Sequence, residues 1–223
     1  MKKILFVAAV EEELAAARLA YSQIEREKEN LSVDFMLTGI GATSTTYKLT
    51  KVLAGTTESY DLVIDLGIAG AFTDEIKNGD VVQVVKSLFG DMGVEGRLGF
   101  QTLFEYSLLD ANTKPYTDGC LLSGAVSQEI NAALSSYPKV TSLTVQTVTG
   151  DMERNYNMKK RFNPDIESME SAAFFYVMIL ENIPFIELRA ISNRVGERDT
   201  SKWTIALALE NLQKAVLNVL NAI

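Results

Sequence analysis

Residues 4–10 are apolar without a break, and the run ends at once in Glu11-Glu12-Glu13. A half-buried strand alternates apolar and polar side chains. An unbroken run instead marks a strand covered on both faces. Such a strand needs helices above and below it, so this segment alone predicts an α/β fold. Following Met1-Lys2-Lys3, the run superficially resembles a leader peptide. It has no cleavage site and meets three glutamates, so it reads as the first strand.

The rest of the chain alternates in the same way. Residues 11–29 read as a helix with Leu14, Ala17, Leu19 and Ile24 among its apolar positions, and residues 33–38 as a second strand. Gly39-Ile40-Gly41 closes that strand and leads into a helix ending near Leu53. Residues 62–66 form a third strand, closed by Gly67-Ile68-Ala69-Gly70. The turn Asn78-Gly79-Asp80 introduces another over 81–88. Residues 89–116 read as an irregular loop, 141–149 as a β-branched strand, 185–191 as the last strand and 201–220 as the closing helix. Residues 171–180 are apolar on every face, which predicts a helix buried in the interior or at a subunit contact. The expected architecture is a single-domain three-layer αβα fold over residues 1–223, a mixed central sheet flanked by helices.

Composition narrows the function. A chain of 223 residues with 47% hydrophobic content suits one such domain. The formal net charge of −8 repels phosphate backbones, so no nucleic-acid partner is expected. No apolar stretch is long enough to span a bilayer, so no membrane partner is expected either. The single cysteine, Cys120, permits no intramolecular disulfide and fits the cytoplasm. Histidine is absent. That removes serine–histidine chemistry and most zinc sites, and leaves carboxylates as the acid–base groups.

In open α/β sheets, ligands bind outside the carboxyl ends of the strands. Glu11-Glu12-Glu13, residues 67–70 and Ser192-Asn193 all occupy such ends. Glu170 joins them as a carboxylate set between Met169 and an apolar helix, an expensive place for a charge. Each has a plainer alternative. The glutamates suit the positive end of a helix dipole, Glu170 reads equally as a paired structural acid, Asn193 as a turn residue, and the glycines as tight turns. From the residues alone, the chain is an α/β enzyme with carboxylate chemistry.

Taken in order, the segments resemble the nucleoside phosphorylase/nucleosidase superfamily across nearly the whole chain. Residues 9–14 (Ala-Val-Glu-Glu-Glu-Leu) are similar to the opening motif of the methylthioadenosine/adenosylhomocysteine nucleosidases. Residues 38–41, 67–70 and 79–82 match the family's glycine loops. Thr149-Gly150-Asp151, Ser168-Met169-Glu170-Ser171-Ala172 and Arg189-Ala190-Ile191-Ser192-Asn193 complete the series. The resemblance implies glycosidic hydrolysis of a small-molecule purine nucleoside without metal or organic cofactor, in a homodimer with the active site near the subunit contact. It implies that Glu13 activates the attacking water, that Glu170 holds the ribose hydroxyls with Met169 beside the sugar, and that Ile68 and Gly70 line the site. Asn193 would contact the purine.

Water is preferred to phosphate because the loop after the first strand carries glutamates and no arginine precedes Arg18. The methylthioadenosine enzymes carry an aspartate where this chain has Asn193. An asparagine amide donates to a 6-oxo group and accepts from a protonated N7, the pairing of hypoxanthine or guanine, although a rotated amide also pairs with adenine. Glu153 stands near where those enzymes place a stacking phenylalanine. Residues 192–203 resemble futalosine hydrolases of menaquinone biosynthesis, which release hypoxanthine, and so does Gly90-Asp91-Met92-Gly93-Val94-Glu95. That substrate's carboxyphenyl group would meet Arg194 or Arg198 and the ring of Trp203. The plainer alternative is a surface Arg198–Asp199 pair and a tryptophan packed at a helix start.

Overall fold

The structure is a computed structural model describing residues 1–24, 30–56, 59–97 and 99–223. Strand β1 (Lys2–Ala8) lies between β2 (Leu31–Leu37) and β3 (Leu62–Ala71) and is parallel to both. On its other side β3 runs parallel to β10 (Phe185–Arg194), which pairs antiparallel with β4 (Val81–Phe89). Strand β8 (Lys139–Thr144) follows β4 in parallel, β9 (Ile166–Ser168) follows β8, and β9 returns antiparallel to β3. Five strands thus close on one another, while β1 and β2 extend the sheet outward. The sheet is mixed, as expected. The short β7 (Leu121–Leu122) adds to β4.

Helices α1 (Glu11–Ser22), α3 (Gln128–Leu134) and α6 (Ile205–Asn221) cover one face, and α2 (Ala42–Gly55) and α5 (Ser171–Glu181) cover the other. β1 shows why both layers form. Ile4, Phe6 and Ala8 join Leu14, Leu212 and Val216 in one cluster, while Leu5 and Val7 join Leu49, Phe174 and Phe175 in the other. Each such side chain, buried completely, contributes roughly 1.5–3 kcal/mol. Helix α4 (Met152–Phe162) is different, for it buries no residue fully. It is held by its ends: Asp151 accepts from the Arg154 amide at 2.8 Å, and Asn163 turns left-handed at φ 44° to stop it.

Several elements differ from the sequence reading. Helix α1 stops at Ser22, and residues 25–29 lie outside the described ones. It packs only the face carrying Leu14, Ala16, Ala17 and Ala20, so Leu19 is 53% exposed on the opposite side. Within 89–116 a hairpin of β5 (Gly93–Gly96) and β6 (Gly99–Thr102) forms. The strand expected over 141–149 ends at Thr144, because the Gln146 amide turns to Asp91. β3 continues through Gly67–Gly70 as strand, and β10 continues through Ser192 and Asn193. The closing helix begins at Ile205, after a 3₁₀ turn at Thr200–Lys202.

Candidate active site

The C-terminal ends of β1, β3 and β10 converge on a buried set of charges. Glu13, in the first turn of α1, is 5% exposed. Its Oε1 accepts from the Ile68 amide at 2.9 Å and its Oε2 from the Val10 amide at 3.3 Å. Placing a carboxylate over the first turn also favours it through the helix dipole. Glu170, at the N-cap of α5, is equally buried, and its Oε1 accepts from the Gly41 amide at 2.8 Å. Gly41 can present that N–H because it sits at φ 88°, a conformation that a side chain resists.

Arg189 lies between these acids and is 1% exposed. Its Nε donates to Glu187 at 2.6 Å, its Nη2 donates to Asp65, and its Nη1 faces Glu170 Oε2 at 3.9 Å. Ser171 donates its hydroxyl to the same Glu187 oxygen. The register explains the grouping: Glu187 lies opposite Asp65, and Arg189 opposite Gly67. A Cβ on Gly67 would run into Arg189 Nη1 and lie 3.1 Å from Glu13 Oε1, so the glycine is required for space, not for an unusual dihedral.

Four carboxylates therefore share one buried guanidinium. Burial raises Glu13 above the usual carboxylate range; Arg189 and the Ile68 N–H oppose that rise, and Glu170 adds to it. Burial pushes Asp65 well up against the pull of Arg189, and raises Glu187 likewise. Burial alone would lower Arg189, but Asp65 and Glu187 hold it above its ordinary value. A carboxylate raised in this way is a proton acceptor suited to work near neutral pH.

Asn193 stands at a bulge in the β10–β3 pairing, opposite Gly70. Bulges re-aim side chains, and the absence of a Cβ on Gly70 leaves room for the amide, whose Nδ2 would be 3.3 Å from such an atom. The Asn193 Oδ1 accepts from the Ser192 hydroxyl at 2.7 Å, and its Nδ2 donates to the Arg194 carbonyl at 2.9 Å. One N–H and one lone pair are left for a ligand.

Glu13, Ile68, Gly70, Glu170 and Asn193 are thus brought to one end of the sheet, with half-buried Met169 next to Glu170. Arg194 turns elsewhere, to Asp74 at 2.9 Å and to the Thr73 carbonyl. Arg198 is exposed and lies 5.4 Å from the Trp203 ring centre, its stem 3.8 Å from where a Gly150 Cβ would be. Asp199 accepts from the Ser201 amide and hydroxyl. Glu153 and Met152 are exposed on the first turn of α4, where no aromatic side chain occurs. Sequence reasoning assigned no role to Arg189, Asp65 or Glu187. The available signal was charges of both signs at alternate positions inside otherwise apolar strands, which place them on one face.

A model of the phosphorylase superfamily matches residues 3–222. A futalosine hydrolase from Streptomyces coelicolor is 32% identical over 82% of this chain and 76% of its own length. A 5'-methylthioadenosine/S-adenosylhomocysteine nucleosidase from Maridesulfovibrio salexigens is 28% identical over 97% of this chain and 94% of its own. Among solved structures, the futalosine hydrolase of Helicobacter pylori superposes with a TM-score of 0.79 at 15% identity, covering 100% of this chain and 98% of that one.

Proposed function

This chain belongs to the phosphorylase superfamily, and we propose that within it the chain hydrolyses the N-glycosidic bond of futalosine, releasing hypoxanthine. The observation that carries this reading is the pair of buried carboxylates, Glu13 and Glu170, each anchored by a backbone amide on either side of Arg189. Glycosidic cleavage passes through an oxocarbenium-like state, which needs an anion near the sugar and a means of neutralising the departing base.

In the proposed reaction Glu13 takes a proton from water as its oxygen attacks C1′. The glycosidic electron pair leaves with the purine, whose N7 takes up a proton from solvent water as the bond breaks. The remaining lone pair of Asn193 accepts from that N7–H while its free N–H donates to the 6-oxo group. Glu170 Oε2, turned from the Gly41 amide, takes the ribose hydroxyls, and Met169 packs beside the sugar. Phosphate is disfavoured as nucleophile because Arg189 is already engaged by Asp65 and Glu187, and a dianion would face Glu13 and Glu170. Arg198, exposed beside Trp203, is freer to meet the substrate's distant carboxylate than Arg194, which Asp74 holds.

The same reading places the enzyme in menaquinone biosynthesis, in the cytoplasm and in a homodimer. The lone Cys120 is a free thiol, which supports a reducing compartment. On either side of Gly41, Ile40 just before α2 (62% exposed) and Tyr47 on the outer face of α2 (64%) stand open, which supports a subunit contact near the site.

The test is purine release from futalosine, inosine and methylthioadenosine, each with and without phosphate, followed by chromatography. Hypoxanthine from futalosine alone, at a rate independent of phosphate, is the expected result. Glu13→Gln should lower turnover by about 10²–10⁴-fold while keeping substrate affinity. Adenine from methylthioadenosine would move the chain to the rival nucleosidase class.

A further inference from the structure

Asp65 and Glu187 are buried carboxylates that the proposed reaction does not use. They lie on adjacent parallel strands in register, both turned toward the layer of α2 and α5, as Val63, Phe185 and Ile191 on the same strands are. A guanidinium is planar and presents five N–H groups in a fixed fork, with Nε and Nη2 along one edge. Glu187 takes Nε and Asp65 takes Nη2, so that edge is fully occupied. Nη1 is the nitrogen turned toward Glu170, over Gly67, where Glu13 Oε1 also lies. Ser171, the first residue of α5, donates to Glu187 and ties this edge to the helix that Glu170 caps.

We infer that Asp65 and Glu187 are positioning residues for hydrolysis: they clamp one edge of Arg189 so that its positive charge is divided between them and the pair Glu13 and Glu170. The inference rests on the assignment of Glu13 as the base. With both clamping acids present, Arg189 only partly compensates Glu13, which keeps that carboxylate basic enough to take a proton from water. The charged groups facing Glu13 are Arg189 on β10 and Glu170 at the α5 N-cap, with Asp65 on β3 behind the guanidinium. Glu11 and Glu12 on its own helix are exposed. Glu13 and Asp65 repel one another across the guanidinium, which raises Asp65. Removing a clamping charge frees Arg189 to compensate Glu13 and makes Glu13 a weaker base.

The substitutions Asp65→Asn and Glu187→Gln each keep an oxygen that can accept from the guanidinium. The measurement is kcat and KM for futalosine against pH in wild type, each variant and the double variant, with thermal unfolding to confirm folding. Each variant should lower the acid limb of the kcat profile by about half a pH unit or more. The plateau kcat should fall about twofold to threefold with KM within about twofold, and the double variant should shift the limb further. A folded variant whose activity drops while the acid limb stays in place, or moves up, overturns the inference and leaves the two acids as structural partners only. If Asp65→Asn does not fold, Glu187→Gln decides the matter by the same criterion. A wild-type chain that releases no purine overturns the functional reading instead, so the two failures are distinguishable.

Discussion

Asn193 meets a ligand with half of its amide already committed. Ser192 supplies a hydrogen bond to Oδ1 and the Arg194 carbonyl takes one from Nδ2, which fixes which way the amide faces. In that orientation a 6-oxo purine gains both remaining bonds, whereas adenine would set its 6-amino group against an N–H donor. Leaving one buried donor without a partner costs on the order of 1–3 kcal/mol. Asn193→Asp should therefore cut kcat/KM for futalosine at least tenfold and introduce measurable adenine release from methylthioadenosine, read by chromatography on paired substrates. Unchanged base preference in the variant would move the choice of purine to other residues. The position was legible in the sequence because it follows an apolar strand and completes a family motif. The Ser192 bond was not legible, since it depends on a bulge that appears only when β10 is paired with β3.

At the scale of elements, what could be read was set by burial. β1, β3, β10 and α5 announce themselves because both faces are apolar, and the structure has them where expected, with β3 and β10 longer. Their extensions were hidden by Gly67 and Gly70, which read as turn residues but sit in extended strand to make room for Arg189 and Asn193. Helices α3 and α4 were missed for the opposite reason: α3 is short, and α4 is polar overall and buries no residue fully, so neither carries the apolar stretch that marks a core helix. α2 carries the element-level prediction. Its outward face, with Thr43, Thr46, Thr50 and the exposed Tyr47, flanks the Gly41 amide that anchors Glu170. Sedimentation should find a dimer in wild type at micromolar concentration, and Tyr47→Glu should shift it to monomer with lower activity. A wild-type monomer with full turnover would remove α2 from any role at a subunit contact.

For the whole molecule, the buried cluster and the overall charge push stability in one direction. Asp65, Glu187 and Glu13 all have folded values raised above the unfolded carboxylate range, chiefly by burial. Each therefore binds its proton more tightly in the folded chain. The stability this contributes is complete below the unfolded values and is lost as pH rises through the raised folded ones. Glu105, Glu197, Asp199 and Glu210 are lowered instead, so they favour the fold above the ordinary carboxylate range and cease to do so as pH falls through their lowered values. They are solvent-facing and screened, and weigh little against the cluster. The net charge of −8 adds self-repulsion that grows with pH. The melting midpoint should accordingly rise as pH is lowered toward the upper edge of the ordinary carboxylate range, and fall only below about pH 4, where the surface acids protonate. Scanning calorimetry across that range in constant salt measures it. The same scan on the double variant Asp65→Asn/Glu187→Gln should flatten the rise, because two of the four carboxylates raised by burial among the described residues are gone, Glu13 and Glu167 remaining. A rise of equal size in the double variant would assign the effect to surface repulsion rather than to the acids around Arg189.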